Sequence, residues 1–349
     1  MLALDRQAAR ATWTVFVMAL LITALYLARE AVLLMVLALF LAYMLSPLVA
    51  FIEKRLPARV PRGISLALVY LVLTAGIITA GFILGSRLAS EGTHLLGTLP
   101  GILKNHESLA TRPFPWWLEP YREKIVESLR TYAQMGAEQV LPLLKNAGLK
   151  VAGLLGTVGF AVLVPILSFF FLKDAARIRE DILSWVSNDH QRALLNDITE
   201  DLHFLLGKYI RALVILSAAT FIFYLIFLQL IGAPYSALLA AIAAPLEFIP
   251  VVGPLTASLT IIVVALLSGY PQVLWIIIFL LVYRLFQDYV LQPYLMSEGV
   301  ELHPLMVIFG AIAGEQIAGV WGMFLSVPVI ATLRVVIVRI RKLRTYQPS

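Results

Sequence analysis

From Pro234 to Gly269 the chain reads PYSALLAAIAAPLEFIPVVGPLTASLTIIVVALLSG, almost wholly apolar but broken in its middle by Pro245, Pro250, Gly253 and Pro254. One carboxylate, Glu247, sits among the breaks. An apolar arm of about 15 residues rises only ~22 Å as a helix, short of a hydrocarbon core of ~30 Å. Two short arms joined at a Pro/Gly tip predict a re-entrant hairpin, which dips into a bilayer and returns. In lipid every backbone polar group needs a partner. Irregular backbone at that depth therefore survives only where protein or a water-filled cavity surrounds it. A carboxylate at such a tip is a candidate functional group.

The rest of the chain agrees with a membrane setting. Apolar runs at 11–28, 31–52, 63–84, 151–172, 212–231 and 271–291 are each long enough to cross. Hydrophobic residues make up 60% of the 349 and charged residues 14%, whereas soluble domains carry roughly 25% charge. A second broken apolar segment, 304–338, is interrupted by Gly310, Gly314, Gly319, Gly322 and Pro328, with Glu315 and Gln316 at the break. The fold expected is an all-α polytopic membrane protein with about six full transmembrane helices. Two re-entrant, broken helical hairpins complete it.

The organisation expected is a three-span N-terminal scaffold over 1–86, then an extramembrane helical subdomain over 87–150. That subdomain is polar and proline-punctuated, and Trp116 and Trp117 suit an interface belt. A fourth span with charged, amphipathic surface helices follows over 151–210, then a transport region over 211–338 and a basic tail over 339–349. The first apolar run is long for a signal segment and a second follows at once, so it reads as a retained helix. The net charge of +6 comes from lysines and arginines gathered in short loops, where they set orientation. The N-terminus, the 53–62 loop, the 173–211 segment and the tail are expected in the cytoplasm, and 87–150 outside. Nothing in the pattern calls for nucleic acid. Cysteine is absent and the histidines lack metal-ligand spacing. No cofactor, nucleophile–base pair, phosphate loop or zinc motif is evident, which argues against an enzyme.

With those sides fixed, the C-terminal half reads span, hairpin, span, hairpin, the second unit upside down. Inverted repeats with discontinuous helices meeting near the midplane are an architecture of secondary transporters. Each tip carries a glutamate. An acid taken out of water favours its neutral form, so Glu247 and Glu315 are candidates to exchange a proton, or to ligate Na⁺ beside freed carbonyls. Each could equally cap broken-helix amides or pair with an arginine. Arg284 and Asp288 lie four apart on one helical face beside Gln287. They read either as an ion pair that orients the helix or as parts of a substrate and proton site. Glu247, Glu315, Asp288, Arg284 and Gln316 are therefore the candidate substrate- or ion-binding residues. Pro245, Pro250, Gly253, Pro254, Gly314 and Gly319 are the candidate tip residues.

Four stretches carry a resemblance: PILSFFFLKD (165–174), LEFIPVVGP (246–254), QDYVLQPYLMSEGVELHPL (287–305) and GAIAGEQIAGVWGMFLSVP (310–328). In order and spacing the chain resembles the autoinducer-2 exporter family, also called PerM-type permeases. The resemblance implies a multi-pass inner-membrane transporter, homo-oligomeric in the lipid bilayer. It would move a small solute such as autoinducer-2, or exchange Na⁺ or Li⁺ for H⁺ by antiport. A channel or a non-transporting membrane scaffold are the rival readings.

Overall fold

The computed structural model describes residues 6–57, 60–104, 119–124, 127–128, 131, 155–296 and 302–345. The described residues form helices and no strands, as an all-α polytopic membrane protein requires. In chain order these are α1 (Arg6–Leu27), α2 (Arg29–Glu53), α3 (Arg62–Lys104), a 3₁₀ turn (Glu119–Tyr121), α4 (Leu155–Ser184) and α5 (Asp189–Leu230). Then come α6 (Ser236–Leu246), α7 (Val252–Leu267), α8 (Val273–Phe286), a π-helical turn (Gln287–Leu291), α9 (Gln292–Met296) and α10 (Pro304–Thr345). Among the described residues five stretches are long and apolar enough to cross a membrane: Arg29–Glu53, Arg62–Leu95, Asp189–Leu230, Val273–Leu295 and Pro304–Arg341. The helices α1 and α4, also read as spans, fall outside those five. Of the 87–150 subdomain, 87–104 continues α3 without a break, and Trp116, Trp117 and most of the remainder lie outside the described residues.

The chain divides into two compact units, 1–69 with 150–179 and 70–149 with 180–349. In the first, Ala38, Ala42, Leu45 and Val49 of α2 are buried on one face. Pro47 sits inside that helix without ending it.

The second unit holds the Pro/Gly-broken segments. Its long element, α5, begins at Asn188, whose side-chain oxygen accepts from the backbone N–H of His190 and Gln191 at 2.9 and 3.3 Å. No proline follows until past Leu230. The second part of the charged segment expected at the surface, 189–211, and the fifth span are therefore one helix of 42 residues, while 173–184 continues α4. At 1.5 Å per residue it is about 63 Å long, twice the hydrocarbon thickness. It stops at Gly232, where φ is 69° and the Ala233 N–H reaches back to the Leu228 carbonyl. Gly269 ends α7 in the same way, with Tyr270 bonding Ala265.

Between these stops, α6 and α7 form a helical hairpin. Ala237, Ala240 and Ala243 of α6 are fully or almost fully buried. Their small side chains let α6 lie close against α5. With Tyr224 and Leu228 of α5, Ile261 and Val264 of α7, and Val273, Ile276 and Leu280 of α8, Ala240 and Ala243 make the core of this unit. The opposite face of α8 is as apolar but exposed, at Leu274, Trp275, Ile278, Leu281, Val282 and Leu285. A helix apolar all round and covered on one side only is one that faces lipid with the other.

The second broken segment also folds back. Within α10 the backbone leaves helical geometry at Ala318 and at Gly319, where φ is 59° and ψ is −141°. That region suits glycine alone. A Cβ added at Gly314 would sit 2.3 Å from the Gly322 carbonyl oxygen, and one at Gly322 1.9 Å from that of Gly314. Gly310 likewise faces Ser326 and Ile330. The two arms thus run antiparallel and touch backbone to backbone. At the far end of the second arm, Arg339 pairs with Asp201 at 2.6 Å and Asp197 at 3.1 Å, fastening α10 to the start of α5. On the other side of the first hairpin, Glu91 of α3 accepts from the Leu238 N–H at 2.8 Å and caps α6.

Candidate functional site: a buried carboxylate between two hairpins

The first hairpin turns through Glu247–Val251. Pro245 and Pro250 bring no N–H to the turn, so the end of α6 tightens into three-residue bonds, with Phe248 donating to Pro245 and Ile249 to Leu246. Ser217 of α5 donates to the Ala244 carbonyl at 2.7 Å. Val251 then adopts φ 63° and ψ −55°, and the Val252 N–H donates to the Pro250 carbonyl at 2.6 Å. This is a three-residue γ-turn with positive φ, a strained form and more so for a β-branched residue. Gly253 completes the tip: its Cα packs so close that a Cβ would stand 1.7 Å from the Leu246 carbonyl oxygen.

That turn delivers Glu247 inward, leaving it 7% exposed. Thr220 of α5 donates to Glu247 Oε1 at 3.0 Å, and Gln287 Nε2 donates to Oε2 at 2.8 Å. Thr220 also pairs with the Tyr283 hydroxyl at 2.9 Å. On the other flank, Arg284 Nη1 lies 3.5 Å from Gln287 Oε1, while Arg284 Nε donates to Asp288 at 2.9 Å. Gln292 donates to the second Asp288 oxygen at 3.3 Å. The result is one chain from Asp288 through Arg284, Gln287, Glu247 and Thr220 to Tyr283.

The hydroxyl end of this chain can run in two directions. With Glu247 ionised, Thr220 has one proton and gives it to the carboxylate, so Tyr283 donates to Thr220. With a proton on Oε1, Glu247 donates to Thr220 and Thr220 to Tyr283. The heavy atoms need not move. Gln287 is fixed throughout, its amide nitrogen on Glu247 and its oxygen toward Arg284. If every acid is ionised, the chain holds two carboxylates and one guanidinium. A proton or a monovalent cation would neutralise it.

Gln287 opens the π-helical turn, Gln287–Leu291. Such turns are rare and recur at functional sites. Here the turn lies between Arg284 and Gln292, both of which contact Asp288.

Beside Glu247 lies a cavity of about 330 Å³. The first hairpin lines it with Glu247, Pro250, Val251 and Pro254, the second with Pro304, Val307 and Val327, and α5 with residues from Leu205 to Leu216. The hairpins also meet directly, Phe248 against Phe324 with ring centroids 5.8 Å apart.

The sequence-predicted residues thus divide. Glu247, Arg284 and Asp288 come together, and Pro250 and Pro254 line the same cavity. Glu315 and Gln316 do not join them: they are exposed beside the second hairpin's break and line no part of this cavity. Gly314 and Gly319 shape that hairpin. Sequence reasoning missed Thr220, Tyr283 and Ser217, and left Gln287 without a partner. A polar residue three turns deep in an apolar span was the available signal for Thr220.

The sequence profile of the AI-2E family transporter matches residues 15–342. Among curated relatives, YrrI of Bacillus subtilis is 21% identical over 89% of this chain and 87% of its own length. YueF of the same organism is 26% identical over 89% and 85%. PerM of Escherichia coli K12 is 26% identical over 78% and 77%. With the match running over nearly the whole chain, the protein belongs to the AI-2E family of transporters.

Proposed function

We propose that this protein is a secondary transporter of the plasma membrane, moving a small solute or a monovalent cation by alternating access with Glu247 as the carrier of a coupling H⁺ or Na⁺. The observation that carries the reading is the position of Glu247. It is a buried acid at the strained tip of one hairpin, both oxygens held, on the wall of a cavity that the other hairpin closes. A carboxylate kept in an apolar unit at that cost is a functional group before it is a structural one.

In this reading the two hairpins are re-entrant. The arms of 11 and 16 residues in the first reach about 17 and 24 Å, each less than a hydrocarbon core of ~30 Å. The hairpins form the inverted pair, and their relative movement opens the cavity to one side and then the other. Reversal of the Thr220–Tyr283 bonds lets Glu247 gain or lose its proton without rebuilding its surroundings. Arg284 and Asp288 hold Gln287 in place. Glu315 and Gln316, exposed at the second break, meet the ion or solute on its way in or out. The N-terminal spans serve as scaffold and as the contact between protomers, and both termini lie in the cytoplasm. The solute is autoinducer-2-like in one version. In the other the protein exchanges Na⁺ or Li⁺ for H⁺, which the oxygens of Glu247 and Thr220 favour as hard ligands.

The test is dissipation of an imposed pH gradient in proteoliposomes on adding Na⁺, Li⁺ or K⁺, or on loading autoinducer-2, for wild type and Glu247→Gln. Coupled proton movement that Glu247→Gln abolishes supports the reading. Equal movement in both proteins removes Glu247 from the mechanism.

A further inference from the structure

Glu247 is walled differently on its two sides. On α5 the residues that line the cavity, Leu205, Lys208, Tyr209, Leu213 and Leu216, all come before Thr220, which holds the acid. From Thr220 back to Leu205 the helix spans ~22 Å, so the cavity extends from Glu247 toward the Asp189 end. The α8 helix runs antiparallel to α5, since Thr220 meets Tyr283 while Phe227 meets Phe279. Its lining residue Arg284, and Gln292 beyond it, come after Tyr283. Both helices therefore put the open space on the same side of the acid.

The other side is filled with rings. Phe227 of α5 stacks on Phe279 of α8, centroids 3.9 Å apart and planes 5° from parallel. Tyr224 meets Phe279 and Tyr283 edge-on at 5.4 and 5.2 Å. Phe279 and Tyr283 lie 5.9 Å apart. Behind this layer Leu228, Ile261 and Ile276 are at most 1% exposed. Ring faces stacked at that distance are in van der Waals contact and leave no room for water. An ion would have to shed its hydration to cross, as at a hydrophobic constriction. The layer can also part, because stacked faces separate without breaking a directional bond. The hydrogen bond that does join α5 to α8 here is Thr220 with Tyr283. It belongs to the chain that ends on Glu247, so one ring of the layer is tied to the acid.

We infer that Tyr224, Phe227, Phe279 and Tyr283 form the seal that closes Glu247 off from the Gly232–Gly269 end of the unit, and that this conformation is the one open toward the Asp189 end. In the orientation proposed above, the open side is cytoplasmic. Phe227 and Phe279 are gating residues: they hold the two sides apart while Glu247 exchanges its load, so that flux stays coupled. The inference deepens the transport reading and rests on it for its physiological meaning, but sidedness is measured independently of flux.

The chain has no cysteine, so a single introduced thiol can be followed alone. Leu205→Cys and Val307→Cys place one on the cavity wall. Asp189→Cys and Gln272→Cys, both at exposed positions near opposite ends of the unit, report which side a reagent reaches. The probe is a charged, membrane-impermeant methanethiosulfonate, added to right-side-out and to inside-out membrane vesicles holding the full-length protein. Both wall cysteines are expected to react from the side that labels Asp189→Cys. From the Gln272→Cys side, labelling must wait for an opposite state populated at about 10% or less, so it should be about tenfold slower or more. Phe227→Ala with Phe279→Ala, in the Val307→Cys chain, should bring the slow rate up to the fast one. The same double variant without the cysteine should let proteoliposomes lose an imposed pH gradient with no ion or solute added. Phe279→Leu, which keeps an apolar plug, should restore both barriers. The sidedness comparison leaves the rings intact, so it stands even if the alanine variant misfolds. Equal labelling of the wall cysteines from both sides, or faster labelling from the Gln272→Cys side, overturns the inference. So does an unchanged slow rate in a folded double variant. Equal labelling together with flux that Glu247→Gln abolishes sinks only this inference. One-sided labelling together with equal flux in wild type and Glu247→Gln sinks only the transport reading.

Discussion

Replacing Gly253 by alanine tests how Glu247 is held. The added methyl would stand 1.7 Å from the Leu246 carbonyl oxygen, 2.7 Å from its carbon and 3.3 Å from Ile249 Cβ. The first two are backbone atoms, so no side-chain rotation relieves the clash. Carbon and oxygen need about 3.3 Å, so the tip must open by about 1.5 Å. Glu247 is the residue after Leu246, and its bonds to Thr220 and Gln287 are 3.0 and 2.8 Å. A shift of that size takes both beyond hydrogen-bonding distance. Losing two bonds to a buried acid costs about 2–6 kcal/mol. At roughly 2–4 °C per kcal/mol, the range for domains of about 150–250 residues, melting should fall by about 4 °C or more. The assay is thermal unfolding of the purified protein in detergent, with Gly85→Ala as control. An added Cβ at Gly85 meets nothing within 4 Å, and there alanine should be neutral or slightly stabilising. A Gly253→Ala protein that melts within ~2 °C of wild type, with coupled flux intact, would refute the close approach and the account of how the tip positions Glu247.

Thr220→Val preserves shape but strips Glu247 Oε1 and the Tyr283 hydroxyl of their shared partner. It should cost about 1–3 kcal/mol and slow proton-coupled flux, while Thr220→Ser keeps both; flux in proteoliposomes and melting check this. Gly322→Ala drives a methyl into the Gly314 backbone, whereas Gly310→Ala meets the movable end of Ile330. In a melting experiment Gly322→Ala should be by far the more damaging, and the reverse order would contradict the hairpin crossing. Arg339→Ala removes a pair of surface ion contacts in which the arginine is 30% exposed. The loss should be at most about 1 kcal/mol and should shrink with added salt in the same assay.

The broken segments were legible because proline and glycine leave a direct backbone signature. Pro245, Pro250, Gly253 and Pro254 mark the first tip, and Gly319 marks the second. Glu247 was legible for the same reason, as an acid among apolar breaks. Arg284 and Asp288 followed from their spacing. The equivalence of Glu247 and Glu315 was not a structural one. The first tip tucks its acid against Thr220 and Gln287, while the second turns at 318–319 just beyond Glu315, and 315–320 are exposed. The partners of Glu247 come from 27 and 40 residues away. Only tertiary packing brings them there, and no local pattern encodes it. The limits of α5 were missed because the change from charged to apolar at 211–212 alters what the helix faces, not whether the backbone continues. With no proline or capping residue there, hydrogen bonding runs straight through. The π-turn at Gln287–Leu291 likewise leaves no composition signal.

The central claim is that Glu247 carries the coupling ion through a site between the two hairpins. Proteoliposomes containing wild type or Glu247→Gln, with an imposed pH gradient and added Na⁺, Li⁺, K⁺ or solute, test it most directly. The account predicts that at least one of these collapses the gradient with wild type and none does with Glu247→Gln, which keeps side-chain size and one acceptor oxygen. A Glu247→Gln protein that is correctly inserted and collapses the gradient as fast as wild type would contradict it.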